Sequence, residues 1–99
     1  MIVELRGKQK RFLRAMGVNM DPILTIGKDG VSEHTITQAD GVLNTRELIK
    51  GRVLTSAPEG VADIATAIAT ATESEVVQVV GRNFLLYRPN LQEPKIDLP

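Results

Sequence analysis

The stretch Pro22-Ile-Leu-Thr-Ile-Gly-Lys-Asp-Gly-Val-Ser32 decides the fold class of this chain. Residues 23–26 form a short β-rich run bounded by proline and glycine, which is typical of a strand. A glycine loop follows at once, and Ser32 is a good N-cap for a helix that we expect to run to about Glu47. A strand that turns directly into a helix indicates an α/β fold.

The pattern on either side continues this alternation. We predict a helix over residues 7–16 and strands over residues 48–55, 75–80 and 83–88. Ser56-Ala57-Pro58-Glu59 has the form of a capping box, so we expect it to open a third helix to about Glu73. Gly81-Arg82 suits a type II′ hairpin turn. The sequence therefore predicts one compact α/β domain over residues 1–99, in the order α-β-α-β-α-β-β. We expect a four-stranded mixed sheet with helices packed on it and an extended tail over residues 90–99.

The first helix has two contrasting faces on a helical wheel. Its predicted docking stripe consists of Leu5, Gln9, Phe12, Leu13 and Met16. The complementary arc carries the basic residues Arg6, Lys8, Lys10, Arg11 and Arg14. We therefore expect the apolar stripe to lie on the core and the cations to face solvent.

Composition excludes several classes of protein. The 99 residues carry no formal net charge, yet the first twenty have five basic residues against Glu4 alone, which suggests a basic face. Cysteine is absent, which excludes a disulfide scaffold and any thiolate metal site. We find no signal pattern and no apolar run of membrane-spanning length. We expect a cytoplasmic protein that does not enter the membrane.

Residues for catalysis are scarce. His34 is the only histidine, and we interpret it as a solvated residue at a helix start. No nucleophile elbow, phosphate-binding P-loop or metal-ligand spacing is present in the sequence. We predict that the protein is not an enzyme and needs no cofactor or metal.

The glycine loop and one strand add candidate binding residues. Gly27-Lys28-Asp29-Gly30 leads into a helix N-terminus, where free backbone N–H groups favour anions and glycines let a sugar-phosphate chain approach. Lys50 and Arg52 are predicted to share one side of a strand. Asp29 is unfavourable for phosphate and could act instead as a turn former. Because aromatic residues are few, we expect structured RNA to be bound by shape and phosphate rather than by stacked bases.

Several motifs, taken in order, resemble those of the CRM domain (chloroplast RNA splicing and ribosome maturation). They are Leu5-x-Gly-Lys-Gln-Lys-Arg-Phe-Leu-Arg14, Pro22-Ile-Leu-x-Ile-Gly-Lys-x-Gly-Val31, Arg46-Glu-Leu-Ile-Lys50, Val77-Gln-Val-Val-Gly81 with Leu85-Leu-Tyr87, and Lys95-Ile-Asp-Leu-Pro99. The chain is similar in particular to the stand-alone bacterial YhbY-like proteins. The resemblance covers essentially the whole sequence.

This resemblance implies a fold similar to the C-terminal domain of bacterial translation initiation factor three. It also implies RNA binding and association with ribosomal RNA in precursors of the large ribosomal subunit (the pre-50S particle). The implied contact residues are Lys8, Lys10, Arg11 and Arg14 of the first helix, the loop from Gly27 to Gly30, and Lys50. The chain departs from the family pattern at Asp29, in residues 17–21, which lack basic residues and histidine, and at Gly51, where a β-branched residue is usual.

An alternative function stays open at this point. The third helix is rich in alanine and threonine, so the chain could be a protein-interaction module of the translation machinery. The two functions are compatible, because an assembly factor can also touch ribosomal proteins. We expect a monomer.

Overall fold

A computed structural model describes residues 4–99 and confirms the predicted order of elements. The helices are α1 (Gly7–Gly17), α2 (Glu33–Arg46) and α3 (Val61–Thr72), and the strands are β1 (Leu24–Ile26), β2 (Leu48–Val53), β3 (Glu75–Val80) and β4 (Asn83–Tyr87). The radius of gyration is 12.6 Å. Within residues 4–99, none of the helices has the length and apolarity needed to cross a bilayer.

The four strands form one mixed sheet in the order β1-β2-β4-β3. β1 runs parallel to β2, whereas β4 is antiparallel to both of its neighbours. The turn between β3 and β4 is of the predicted type II′. Its first central residue, Gly81, has a φ of 58°, and its second, Arg82, does not have a positive φ. The predicted four-stranded mixed sheet is confirmed.

Helices cover both faces of the sheet. α2 and α3 pack on one face over a core that includes Leu43, Ile49, Ile64, Ile68, Phe84 and Leu86. α1 packs on the opposite face over a smaller core of Leu5, Leu13, Leu48, Val77, Leu85 and Tyr87. From the tail, Ile96 and Leu98 pack against this second core. The sheet is therefore the middle of three layers, and α1 lies in the layer opposite α2 and α3.

The alternation predicted for β2 is confirmed. Ile49, Gly51 and Val53 are buried on the α2/α3 side, whereas Lys50 is half-buried and Arg52 exposed on the side of α1. Gly51 replaces a β-branched residue because the ring of Phe84 on β4 occupies the space where its Cβ would lie. The missing side chain therefore makes room for the aromatic ring at the centre of the core.

α1 is rotated relative to the prediction. Its buried residues are Leu13 and Gly17, while Phe12 and Met16 are about two-fifths exposed, at 39% and 40%. The expected burial of Phe12 and Met16 was wrong. The reason is Gly17, because a Cβ there would meet the side chain of Leu85. The glycine lets the helix approach the sheet, and the contact face shifts toward Leu13 and Gly17.

The third helix begins later than predicted. The capping box at residues 56–59 does not form, and α3 starts at Val61 with Gly60 as N-cap. The backbone N–H of Ala57 donates to the carbonyl of Leu54 at 3.1 Å, so the chain turns here instead of entering a helix. β2 also ends at Val53 rather than at Thr55. Residues 54–60 are therefore a loop.

Glu47 connects the C-terminal tail to the rest of the domain. Its side chain is fully buried, at 0% exposure, and its φ is 63°. One carboxylate oxygen accepts the backbone N–H of Lys95 and of Ile96, and the other accepts that of Asn90, all at 2.7 Å. Residues 90–99 lack helix and strand, but this carboxylate holds them on the domain.

Candidate nucleic-acid interface

The cations of α1 lie on and beside its exposed face. Lys8 and Arg11 are exposed, whereas Lys10 and Arg14 are half-buried at the edge of the docking face. None of the four forms an ion pair with an acidic residue within residues 4–99. The structure therefore brings four positive charges together without a compensating negative charge.

Most of these cations do not help α1 to fold, although Arg14 lies favourably in the last turn. The first turn contains no acidic residue and contains Lys8, although the N-terminal end of a helix carries a partial positive charge. Like charges along one helix also repel each other. Because helix stability does not explain Lys8, Lys10 and Arg11, their placement indicates an anionic ligand.

Phe12 and Met16 add apolar surface to the same side of α1. They are exposed beside Lys8 and Arg11. A ring in a cationic setting can stack on a nucleobase, because every base has a π-face. The apolar pattern predicted Phe12 in the core, so this exposed ring was not expected from the sequence.

The glycine loop forms a tight turn between β1 and α2. The N–H of Gly30 donates to the carbonyl of Gly27 at 3.0 Å, and Gly30 has a φ of 64°. Gly30 is buried, and a Cβ there would lie 3.1 Å from Cγ of Pro58. Ser32 then caps α2 by accepting the N–H of Thr35 at 3.3 Å. Gly30 is therefore needed for the turn itself.

The rest of the loop is open to solvent. Lys28 and Asp29 are exposed, and Gly27 is half-buried. Asp29 lies within the turn, but its carboxylate accepts no hydrogen bond from the part of the chain that the structure describes. A Cβ at Gly27 would make only an ordinary contact, at 3.6 Å from a methyl carbon of Leu54. The fold therefore does not explain the glycine at position 27.

Lys50 and Arg52 lie on the sheet face that carries α1. Lys50 lines a cleft together with Gly17 and Val18 at the end of α1. Arg52 pairs in register with Thr25 of β1, two positions before the glycine loop. The structure thus places Lys50 beside α1, Arg52 toward the loop, and the loop itself at the carboxyl end of β1.

Arg82 at the hairpin tip has a structural role. Its Nε and Nη2 donate to the carbonyls of Val53 and Leu54, both at 2.7 Å. The guanidinium therefore joins the hairpin to the end of β2. His34 is exposed, and among the described residues no three His, Asp or Glu side chains could hold a metal ion together.

The sequence shows similarity to a known family. The model of the CRS1/YhbY (CRM) domain matches residues 5–88. The chain belongs to this family. The CRM resemblance seen in the motifs is therefore confirmed.

Two curated relatives of this CRM protein match over almost their whole length. "Probable RNA-binding protein YqeI" of Bacillus subtilis is 40% identical over 95 residues, which is 96% of this chain and 99% of the relative. An "RNA-binding protein" of Haemophilus influenzae is 36% identical over 95 residues, covering 96% of this chain and 95% of the relative.

A solved structure has the same fold. The solution structure of SAV1595 from Staphylococcus aureus matches with a TM-score of 0.81 and 44% sequence identity, over 97% of this chain and 100% of that protein. The α/β fold class predicted for this CRM protein is confirmed by this structural neighbour.

Proposed function

We propose that this chain binds structured ribosomal RNA in the precursor of the large subunit, and that it acts in the cytoplasm as a ribosome-assembly factor. The relatives of this chain are named as RNA-binding proteins, which supports RNA as its ligand. The observation that carries the proposal is the set of four α1 cations that have no acidic partner in the described part of the chain.

The mechanism involves binding without bond chemistry. Lys8, Lys10, Arg11 and Arg14 neutralise phosphates along one stretch of RNA, and release of counterions supplies much of the affinity. Lys28 adds a cation at the glycine loop, where Gly27 lets the sugar-phosphate chain approach the backbone. A protein that binds one RNA conformer preferentially shifts the population toward it. We infer that this shift is the contribution to assembly.

The test is affinity for fragments of large-subunit ribosomal RNA, measured by fluorescence anisotropy from about 50 to 200 mM salt. We expect a log–log slope of about −3 to −5, because roughly four to six phosphates are neutralised. Arg11→Gln should weaken binding and make the slope less steep by about 1. Arg46→Gln is the matched control, because Arg46 is an exposed cation on α2, on the opposite side of the sheet.

Equal losses in Arg11→Gln and Arg46→Gln would show that only net charge matters and would contradict the proposed surface. If the unmodified chain binds none of the fragments at the lowest salt, RNA binding itself is wrong. A preference for large-subunit fragments over unrelated RNA of equal length separates the assembly role from general RNA affinity.

A further inference from the structure

A cleft of about 310 Å³ opens on the sheet face that α1 leaves uncovered. It begins where the helix ends, because the chain leaves the sheet at Gly17 and Val18. The side chains that matter for its chemistry are Val18, Lys50, Gln78, Val80 and Asn83, and Leu85 lies beside them.

The strand register explains why these side chains meet. Lys50, Leu85 and Gln78 form one row across β2, β4 and β3, and Arg52, Asn83 and Val80 form the next row. Neighbouring strands lie about 4.8 Å apart, and alternate residues of one strand about 7 Å apart. The two rows therefore cover an area of roughly 10 by 7 Å, comparable to one nucleobase with its sugar.

The polar groups of the cleft lack partners among the residues that the structure describes. Gln78 and Asn83 are half-buried, and neither side-chain amide hydrogen-bonds to another residue within residues 4–99. Each amide offers both a donor and an acceptor. Lys50 is also half-buried and has no acidic partner in this range, and no carboxylate lines the cleft. The complementary ligand therefore has hydrogen-bonding edges and a negative charge.

Apolar contacts are available on either side of these groups. Val18 is 75% exposed at the end of α1, and Val80 is 56% exposed at the end of β3. A flat ring can lie between such side chains while its edge reaches an amide. Asn and Gln amides match base edges because they offer a donor and an acceptor side by side.

We propose that this cleft binds one unpaired nucleotide of the RNA, with Gln78 and Asn83 hydrogen-bonding to the base edge and Lys50 contacting the phosphate. The inference rests on the proposed function, since α1 supplies the affinity for the adjoining RNA. It extends the expectation from the sequence, in which the scarcity of aromatic residues favoured structured RNA over stacked single strands. Here hydrogen bonds take the place of aromatic stacking.

The experiment compares two labelled RNA duplexes of about 16 base pairs, one blunt and one with a single-stranded extension of about five nucleotides. Extensions of each base are tested in turn. We expect the unmodified chain to bind at least one extended duplex more tightly than the blunt duplex. Gln78→Ala and Asn83→Ala should each reduce this advantage roughly 2- to 10-fold, the effect of losing one hydrogen bond. Binding to the blunt duplex should stay unchanged.

Gln38→Ala is the matched control, because Gln38 is exposed on α2 on the opposite side of the sheet. It should keep the full preference for the extension. Side-chain amide NMR signals of the unmodified chain give a second readout that needs no variant. Signals of Gln78 and Asn83 should shift when the extended duplex is added, and the signal of Gln38 should not.

The outcomes separate this inference from the proposed function. If the chain binds both duplexes equally, or if both variants keep the preference, the cleft assignment is overturned while duplex binding by α1 stands. If neither duplex binds, both proposals fail. If a free mononucleotide binds as tightly as the extension and shifts the same amide signals, the cleft takes a small molecule and its assignment to RNA is overturned.

Discussion

Gly27 and Gly30 belong to one turn but differ in what the fold requires of them. Gly30 has a φ of 64° and is buried against Pro58, so a side chain there is strained. Gly27 has room for a Cβ and lacks a positive φ. A sequence motif cannot distinguish the two, because backbone angles and neighbours decide which glycine serves the turn. We infer that Gly27 serves the ligand.

A pair of substitutions tests this difference. Gly30→Ala should lower the free energy of unfolding by about 1 to 2 kcal/mol, the cost of a left-handed residue with a Cβ. Gly27→Ala should leave stability unchanged and weaken RNA binding, because the added methyl group keeps the sugar-phosphate chain away. Urea unfolding and anisotropy on the same samples give both quantities. A stable Gly27→Ala variant with full RNA affinity would show that the glycine has no role in binding.

At the scale of elements, α1 shows where the sequence pattern misled the prediction. A helical wheel counts apolar side chains, so Phe12 and Met16 were assigned to the core. The contact face is instead set by Leu13 and by Gly17, which lies against Leu85. Glycine contributes nothing to an apolar pattern, although it decides how closely a helix can approach a sheet. The two faces of β2 were predicted correctly because a period of two allows fewer choices.

Phe12 and Leu13 are neighbours in α1 with opposite expected effects. Leu13→Ala should cost about 2 to 5 kcal/mol of stability, because it removes a fully buried side chain. Phe12→Ala should cost about 1 kcal/mol or less, since exposed sites tolerate change. It should still weaken RNA binding by about 1 to 3 kcal/mol if the ring stacks on a base. Thermal unfolding and anisotropy distinguish the two variants. A Phe12→Ala variant as unstable as Leu13→Ala would contradict the observed helix orientation.

The start of α3 was missed for a different reason. Residues 56–59 satisfy a helix-capping pattern, but Pro58 packs against Gly30 of the preceding loop. Ala57 also packs against the core beneath α2 and α3, although it does not lie in a helix. These contacts join residues that are distant in sequence, so the capping pattern gave no indication of them. A capping motif is a local signal, and here the long-range contacts override it.

At the scale of the whole molecule, the fold class and the order of the elements followed from the sequence. The cleft and the role of Glu47 in holding the C-terminal tail did not. Gln78 interrupts a valine-rich strand, and apart from Lys50 that interruption was the available signal for the cleft. Its meaning depends on the neighbours of β3, which only the order β1-β2-β4-β3 reveals. The buried Glu47 gave no signal, because its partners are backbone N–H groups that lie more than forty residues away.

Glu47 and Tyr87 make the stability of the whole domain sensitive to high pH. Burial raises the pKa of Tyr87 above its ordinary value of 10.0, and the negative charge of Glu47 raises it further. Folding therefore favours the neutral phenol. This contribution to stability is complete below about pH 10 and is lost as the pH rises through the folded-state pKa.

Tyr87 is the only tyrosine, so its ionisation can be followed by ultraviolet absorbance. We expect it to titrate above pH 10 in the folded protein, together with a fall in the free energy of unfolding. In Glu47→Gln the pKa should move back toward the ordinary value, because one charge is lost and the tail is held less firmly. Titration of Tyr87 at its ordinary pKa in the unmodified, folded chain would contradict this account.

Arg82 has a consequence for the energetics of binding. Its two hydrogen bonds join the hairpin tip to the end of β2. In the loop that follows β2, Pro58 packs on Gly30 of the glycine turn. Three segments that would otherwise move independently therefore hold one another in place before any ligand arrives. Much of the conformational entropy that such loops lose on association is already lost in folding. The rim of the domain that carries Lys28 is thus preorganised for the RNA contact proposed above.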